Sequence, residues 1–313
     1  RCDAGYKIPF QVWQYIIAKV RLEYPNTIFL LEGLGGDPLI TEELIGLSGM
    51  NWAYSEIFQC HDYKSIENYL PYSINVSSSK GNLIHFAETH DNNRLAETSD
   101  IFAKLRVGIC SLTCTNGAFG FSNGVEWLAK EKINVHNAHS LNWDSENNLI
   151  DWIKRINTII QIHPSFYPES TITMVPTNIK NLLSIMRKSK NNKDQLLIFF
   201  NLDTKNCLRL NDYEKEFSHN LLDGRKEIKY LNPGETICLS NNQEWIKKIN
   251  NYLKNSFSSL SYIDHHLVSF KILQITEYYD LSRKSDNEIF LNDPYDFLIK
   301  LVGFYNIVTW KNP

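Results

Sequence analysis

The sequence predicts an α/β fold built on a parallel sheet, followed by a small antiparallel β-domain. Short apolar runs alternate with amphipathic stretches from the start of the 313-residue chain to about residue 168. Beyond that point, short apolar runs separated by turn residues replace the helical periodicity. Because 43% of the residues are hydrophobic, the chain can bury a sizeable core in one large domain or two ordinary ones.

Five strands with four helices between them are predicted in the first part of the chain. The strand stretches are near-continuous apolar runs, as parallel strands buried on both faces require, whereas the helical stretches repeat apolar residues every three or four positions. The predicted strands lie in RCDAGY, TIFLLEGLGG, NWAYSEIF, NLIHFAETHDNNR and GAFGFSNGVEW. The predicted helices lie in PFQVWQYIIAKVRLEYP, DPLITEELIGL, DYKSIENYL and SDIFAKLRVGICSLT.

Three domains follow from the change in pattern. Residues 1–168 form the α/β part, which a last helix in NNLIDWIKRINTIIQIHPSFYP closes. Residues 169–242 form the antiparallel domain, with strands in TITMVPT, LLSIMRKS, QLLIFFNLD, LRLNDY and ETICLSN. Residues 243–313 form an additional segment, a helix and then possible strands, which we expect to be truncated.

Composition excludes several classes of partner. A formal net charge of -3 provides no basic field for nucleic acid, and no apolar stretch is long enough to suggest a membrane span. The six cysteines form no C-x-x-C pair, which favours reduced thiols in a cytoplasmic protein. The histidines form no ligand set with metal-binding spacing, so we expect no metal and no cofactor.

Carboxylates stand at the ends of three predicted strands, at Asp3, Glu32 and Asp91. The carboxyl ends of parallel strands open onto one face, so these acids are expected to converge although they are distant in sequence. Like charges gathered together lose hydration and repel, so such a cluster is rarely kept for stability alone. The alternative is that each acid makes an ordinary helix cap or salt bridge. The pattern favours a two-carboxylate mechanism.

The loop EGLGGDP follows a strand and precedes a helix, which is typical of a phosphate-binding turn. Its spacing is G-x-G-G, however, and Asp37 and Pro38 would put a negative charge and a missing N–H at the helix start. Glycines that allow a tight strand exit beside a wide cleft are the favoured interpretation. A nucleotide-binding α/β protein remains an alternative.

Three stretches, RCDAGYKIP, FLLEGLGG and HFAETHDNNR, resemble in order and spacing the second, third and fourth signature regions of the α-amylase superfamily, glycoside hydrolase family 13. The resemblance covers residues 1 to about 168, and the β-domain matches that family's usual C-terminal domain. It implies strands 4 to 8 of a (β/α)8 TIM barrel. Because strands 1 to 3 and the first signature region do not occur here, we expect a C-terminal fragment of a longer enzyme.

The resemblance also implies roles for individual residues. Asp3 would be the nucleophile, Glu32 the general acid/base, and Asp91 the residue that holds the distorted sugar through its hydroxyls. Substrate-binding roles would fall to three further residues. Arg1 would keep Asp3 ionised, His90 would hydrogen-bond the sugar, and Lys7 would face the acceptor side.

One departure from the family pattern is Thr89, which stands where many amylases have an Asn, so calcium-linked architecture around the cleft is not assumed. The sequence around FLLEGL and NWAYSEIF resembles that of an intracellular branch of the family, which contains glycogen debranching proteins and maltosyltransferases. The expected function is a retaining α-glucan-active hydrolase or transglycosidase acting on α-1,4 or α-1,6 bonds of a glycogen-like polysaccharide or a maltooligosaccharide. The alternatives are a maltosyltransferase that uses maltose 1-phosphate and a non-catalytic carbohydrate-binding or scaffold protein.

Overall fold

The computed structural model describes residues 1–134, 141–142, 145–210 and 216–256. The chain divides at Asn250, and the elements below belong to the first unit, Arg1–Asn250, except that the last helix runs on to Ser256. The strands predicted beyond that helix lie outside the described residues. The boundaries predicted at 168/169 and 242/243 stay predictions.

Five parallel segments run side by side in chain order in the first part of the chain. Three are strands, β1 (Leu30–Leu31), β2 (Trp52–Tyr54) and β3 (Asn82–Ile84), which pair in the order β1-β2-β3. The outer two are single bridges, Cys2 beside Leu31 and Phe119 beside His85, and both are parallel. The alternation of strands and helices predicted from the sequence is therefore present, although the regular strands are shorter than the apolar runs.

Helices connect these segments, and local sequence signals explain their ends. The helices are α1 (Phe10–Glu23), α2 (Pro38–Ser48), α3 (Tyr63–Ser79), α4 (Leu95–Thr98), α5 (Asp100–Leu112) and α6 (Ile150–Ile162). Asp37 caps α2 by accepting the Leu39 N–H at 2.9 Å, and Asp62 with Ser65 forms a capping box on α3. The α1 helix stops just before Pro25, as the sequence predicted.

The α3 helix is longer than the stretch DYKSIENYL that the sequence predicted. It continues through Pro71 to Ser79 because its core-facing residues keep helical spacing on both sides of the proline. Leu70, Ser73 and Val76 are all buried on that face. Burial of a continuous face compensates for the hydrogen bond that a proline cannot make.

An antiparallel sheet follows the α/β part. It is formed by β4 (Thr171–Met174), β5 (Leu182–Lys188), β6 (Gln195–Asn201), β8 (His219–Asn220) and β10 (Thr236–Ser240), in the order β4-β5-β6-β10-β8. Strands β7 (Leu208–Arg209) and β9 (Tyr230–Leu231) form a separate pair, and α7 (Glu244–Ser256) follows the sheet. The helix α5 packs against β6 and β10 and joins the two parts of the unit.

Two hydrophobic cores stabilise the two sheets. The first lies between the parallel strands and α1 to α3 and includes Leu31, Leu44, Ala53 and Leu83, all almost fully buried. The second lies on one face of the antiparallel sheet, where Phe199 stands opposite Ile237 and Leu197 opposite Leu239. One face of β1 to β3, with Leu31, Ala53 and Leu83, is fully buried, whereas Trp52 and Tyr54 on the other face are half-buried. The candidate site lies beyond the carboxyl ends of these strands.

Candidate active site at the carboxyl edge of the parallel sheet

Asp3 and Glu32 follow two paired segments of the parallel sheet. The Cys2 N–H donates to the Leu30 carbonyl at 2.7 Å, and the Glu32 N–H donates to the Cys2 carbonyl at 3.0 Å. The Gly5 N–H then donates to the Glu32 carbonyl at 3.0 Å. The two acids that the sequence placed at strand ends therefore lie on adjacent segments at the same edge of the sheet.

The turn after Asp3 is shaped to reach Glu32. A Cβ at Gly5 would lie only 2.4 Å from the Leu31 Cδ1, so glycine permits the close approach of the two backbone segments. Ala4 adopts the left-handed conformation, with φ 43° and ψ 38°, which costs a non-glycine residue about 1 kcal/mol. This conformation directs the Ala4 N–H to the Glu32 Oε2 at 2.7 Å. Backbone strain is thus used to hold the Glu32 carboxylate.

Arg1 forms an ion pair with Asp3, with 2.5 Å between Nη1 and Oδ1. The Asp3 side chain is 75% exposed and that of Arg1 31% exposed, so the pair lies at the surface of the site. The guanidinium also lies 5.9 Å from the centroid of the Tyr54 ring at the end of β2. Partial burial lowers the pKa of Arg1, but the hydrogen bond to Asp3 and the negative charges of Asp3 and Glu32 outweigh it and raise that pKa. The cation is therefore held among the acids.

The glycine-rich loop after Glu32 directs its amides at neighbouring acceptors. The Leu34 N–H donates to the Glu32 Oε1 at 3.0 Å, the Gly35 N–H to the Glu56 Oε1 at 2.6 Å, and the Gly36 N–H to the Gly33 carbonyl at 3.2 Å. An anion-binding turn needs these N–H groups free. The geometry thus favours a tight strand exit over a phosphate cradle.

Asp91 and His90 lie beyond β3, at the same carboxyl edge but two strands along from β1. The His90 Nε2 lies 3.5 Å from the Asp91 Oδ2, and the Asp91 side chain is 71% exposed. Thr89 shapes this turn, because its Oγ1 accepts the Asp91 N–H at 3.2 Å and donates to the Asn92 Oδ1 at 2.5 Å. The threonine that departs from the family pattern thus makes its own local turn.

Lys7 lies in a short 3-10 turn, Gly5–Lys7, and its side chain is exposed. Its Nζ lies 4.9 Å from the centroid of the Tyr6 ring, which is next to Gly36 of the glycine-rich loop. The structure thus joins Arg1 to Asp3 directly, and joins Glu32 to the turn after Asp3 through the Ala4 N–H. It places His90 and Asp91 along the same edge and Lys7 beside the loop.

Sequence reasoning missed a buried ion pair next to Asp91. Arg94 and Glu88 are almost fully buried, at 1% and 3% side-chain exposure, and the Arg94 Nη1 contacts the Glu88 Oε1. Burial raises the pKa of Glu88, and the Leu95 N–H and Arg94 oppose that shift. The pair spans the turn that carries His90 and Asp91. The sequence signal that could have predicted this pair is two opposite charges, six positions apart, directly after the apolar run of β3.

Glu56 and Tyr69 were also missed. Glu56 stands two residues after β2, and its N–H donates to the Tyr69 hydroxyl at 2.7 Å. Burial raises the pKa of Tyr69 to about 12, so its phenol stays neutral over the physiological range. An acid just beyond a parallel strand was a signal of the same kind as those at Asp3 and Glu32.

Among the described residues, no group of three or more His, Cys, Asp or Glu side chains is placed to hold a metal ion. No helix in the described part of the chain has the length and apolar character needed to cross a membrane.

Comparison with known proteins reveals one set of sequence relatives. No family model matches the chain. The chain is 23% identical over 214 residues to an α-1,4-glucan:maltose-1-phosphate maltosyltransferase from Cereibacter sphaeroides. The match covers 65% of this chain and 36% of the relative. The matched region thus spans about a third of the length of that curated relative.

Solved structures of low sequence identity share the fold. A γ-CGTase from alkalophilic Bacillus clarkii aligns with a TM-score of 0.59 at 17% identity, over 73% of this chain and 38% of that chain. An α-amylase from Lactobacillus plantarum aligns with a TM-score of 0.56 at 18% identity, over 76% of this chain and 60% of that chain. Identities this low show the fold alone.

Proposed function

We propose that this chain, a relative of the α-amylase superfamily, carries the carboxylates of a retaining α-glucan-active enzyme. The relationship rests on the sequence match to maltosyltransferases and on the shared fold. The observation that carries the proposal is the pairing of Asp3 and Glu32 at adjacent strand ends, with the Ala4 N–H joining one turn to the other carboxylate. Two carboxylates at one sheet edge are what a double displacement requires.

In the proposed first step, the Asp3 carboxylate attacks the anomeric carbon while the glycosidic C–O bond breaks. Glu32 gives its proton to the leaving oxygen. In the second step, the Glu32 carboxylate takes a proton from water or a sugar hydroxyl. That oxygen bonds to the anomeric carbon and releases Asp3. Arg1 supports the first step because its guanidinium pairs with the Asp3 carboxylate and fixes its position.

The remaining residues are assigned to substrate binding. Asp91 would accept hydrogen bonds from sugar hydroxyls, and its exposure leaves it open to them. His90 would hydrogen-bond the sugar, and Lys7 would face the acceptor. The exposed carboxylates of Asp3 and Asp91 fit a polar ligand such as a glucan or maltooligosaccharide better than an apolar one.

Transfer from maltose 1-phosphate is the second candidate reaction. The matched relatives, in Cereibacter sphaeroides and Arcanobacterium haemolyticum, are α-1,4-glucan:maltose-1-phosphate maltosyltransferases, which is the observation that makes transfer a candidate beside hydrolysis. In this reaction the Asp3 carboxylate would displace phosphate from the anomeric carbon of maltose 1-phosphate, and a hydroxyl of the acceptor glucan would then release Asp3, giving up its proton to Glu32. In hydrolysis the bond broken first is a glycosidic bond, and water releases Asp3. For either reaction, the glucosidic bond broken or formed would be an α-1,4 or an α-1,6 bond.

The test incubates the natural polypeptide that contains these residues with glycogen and maltose 1-phosphate. Chain growth with phosphate release supports transfer, and chain shortening without phosphate release supports hydrolysis. Binding of maltooligosaccharides without turnover would instead support the non-catalytic scaffold. Stabilisation by nucleotides and not by maltooligosaccharides would support a nucleotide-binding protein.

Replacing Glu32 tests the assignment of the acid/base. The Glu32→Gln variant should lose about 10²- to 10⁴-fold in turnover because its amide cannot give up a proton. Its melting temperature should fall modestly, since the single amide oxygen can accept only one of the Ala4 and Leu34 N–H groups, which bind separate carboxylate oxygens in the wild type. Glu23→Gln, at an exposed position in α1, is the matched control. Full activity in Glu32→Gln would exclude this role.

The proposal also includes the length of the enzyme and its cellular compartment. That these residues are a portion of a longer enzyme stays a prediction, and the matched third of the curated relative supports it. Exposed apolar side chains on α1 and α2, such as Leu22, Leu39 and Leu47, fit a surface that a further part of such an enzyme would cover. The cytoplasmic location is likewise a proposal, based on the dispersed cysteines.

A further inference from the structure

Glu56 is a charged residue at the site to which neither the signature motifs nor the proposed reaction assigns a role. It follows β2, the strand next to β1, and lies across the sheet edge from the glycine-rich loop. Its carboxylate accepts the Gly35 N–H at 2.6 Å, and Gln59 donates to its second oxygen. The side chain therefore contacts the loop that begins immediately after Glu32.

The backbone of Glu56 is firmly anchored. Its N–H donates to the hydroxyl of Tyr69 at 2.7 Å, and the Ser55 hydroxyl donates to the same oxygen at 3.2 Å. Tyr69 belongs to α3 and packs beside Tyr72, with ring centroids 5.6 Å apart. Ser55 and Ile57, the residues on either side of Glu56, are fully buried. The backbone of Glu56 is therefore fixed in the core, and its carboxylate extends from this fixed backbone.

The loop itself depends on contacts from outside. Gly35 has φ +72°, and a Cβ there would meet no atom within 4 Å, so no packing holds this residue in place. The amides of Leu34, Gly35 and Gly36 donate to Glu32, Glu56 and Gly33 in turn. Of these three contacts, the Gly35 bond to Glu56 is the one that links the loop to a different strand.

We propose that Glu56 is a positioning residue, which clamps Gly35 so that the adjacent Leu34 N–H stays directed at Glu32. The inference rests on the proposed function, in that Glu32 is the group being positioned. The Gly35 N–H lies in the peptide unit on the carboxyl side of Leu34, so its release loosens the residue whose own N–H contacts Glu32. Glu32 would then be held on one side only, by the Ala4 N–H. Catalytic groups need orientation to within a fraction of an ångström, which a mobile loop does not supply.

The clamp is tested first by amide hydrogen exchange in the natural polypeptide containing these residues. In Glu56→Ala, exchange at Leu34 as well as Gly35 should accelerate by about tenfold, which is the effect of losing one hydrogen bond. In Glu56→Gln the amide oxygen still accepts the Gly35 N–H, so exchange should stay near the wild-type rate. Glu67→Ala, at an exposed position on α3, is the control that should change neither amide. Unchanged exchange at Leu34 in Glu56→Ala would overturn the clamp.

Kinetics on a maltooligosaccharide provide the second readout. Glu56→Ala should lower kcat by about tenfold and leave KM within about twofold, because orientation of Glu32 matters in the reaction and not in binding. Glu56→Gln should restore most of the rate, because its amide oxygen still accepts the Gly35 N–H. Both variants should have the wild-type melting temperature, so that the difference in rate between them reports positioning and not a loss of stability. Accelerated exchange with unchanged kcat would contradict the positioning role.

The two proposals fail in different ways. If Glu32→Gln keeps full activity while Glu56→Ala accelerates exchange at Leu34, the acid/base assignment is wrong and the clamp stands. If Glu32→Gln is inactive while Glu56→Ala exchanges and turns over like wild type, the clamp is wrong and the assignment stands.

Discussion

At the scale of single residues, the edge of the parallel sheet separates exposed charges from buried ones. Asp3 and Asp91 are largely exposed, whereas the charged pair Glu88 and Arg94 and the neutral imidazole of His85 are almost fully buried. Exposed groups can meet a ligand and change partners at little cost. Buried charges lose hydration and persist only with fixed partners. The exposed acids are therefore accessible to a ligand, whereas the buried groups hold the structure of the turns.

His85 illustrates the buried set. It follows β3, and its ring nitrogens contact the hydroxyls of Ser73 at 2.9 Å and Thr113 at 3.3 Å. Burial lowers the pKa of His85 to about 3. His163, beside Trp245, is similarly buried, and burial lowers its pKa to about 3 as well. Both imidazoles are thus neutral in the folded protein well below neutral pH.

These two histidines predict a loss of stability in mild acid. Below about pH 6.5 the unfolded chain binds protons at both rings while the folded protein does not, so stability falls as the pH decreases toward 3. Each ring should contribute a loss of about 2 kcal/mol by pH 5. Urea unfolding at pH 7 and pH 5 measures this difference. In His85→Gln the pH-dependent loss should shrink by roughly half, and an unchanged loss would contradict the assignment.

At the scale of elements, local signals in the sequence account for most helices but for few strand limits. Asp37, Asp62 and Pro25 mark helix ends that the structure confirms, because capping and proline geometry act within one turn. The continuation of α3 past Pro71 and the two-residue strands β8 and β9 were missed. Their formation depends on burial against neighbours distant in sequence, which no short window contains.

The turn between β3 and α4 depends on the Glu88–Arg94 pair. Glu88 also accepts the Leu95 N–H at 2.8 Å, and Arg94 donates to the Asn123 carbonyl at 2.6 Å. These bonds join the start of α4 to the segment after Phe119. The turn that carries His90 and Asp91 is therefore anchored from both sides.

Breaking this pair should be costly. In Glu88→Gln, Arg94 stays charged and buried without a countercharge, which should lower the free energy of unfolding by about 3 kcal/mol or more. The control is Glu169→Gln, which breaks the exposed Lys190–Glu169 pair and should cost less than about 1 kcal/mol. Chemical denaturation of both variants provides the comparison. Equal losses would show that burial of the first pair has little energetic effect.

At the scale of the whole molecule, Arg187 joins the antiparallel sheet to the α/β part. From β5 it donates to the carbonyls of Leu112 and Cys114 at the end of α5, at 3.1 and 2.9 Å, and to that of Ser165 at 3.1 Å. Its guanidinium also lies 3.8 Å from the centroid of the Phe166 ring. Burial lowers the pKa of Arg187 to about 10, so it remains a cation at neutral pH.

Removing Arg187 should loosen the junction of the two sheets. Arg187→Ala leaves three buried carbonyls without their donor, and the free energy of unfolding should fall by about 3–5 kcal/mol. Arg187→Lys should recover only part of this, because an ammonium lacks the planar fork that reaches several carbonyls. Urea titrations measure both, with Arg209→Ala, an exposed arginine of β7, as the control. A loss in Arg187→Ala no larger than in the control would contradict the role.

The sequence by itself determined the order of strands and helices, the change to an antiparallel sheet, the resemblance to the signature regions of a known superfamily and the candidate acids Asp3, Glu32 and Asp91. These follow from periodicity, turn residues and short motifs, which are local properties. Only the tertiary structure decided that the Ala4 N–H contacts Glu32, that Glu56 contacts the glycine-rich loop, and that Glu88 and Arg94 are buried together. Each of these contacts joins different strand ends or turns, so it exists only after the sheet has formed and brought those residues to one edge.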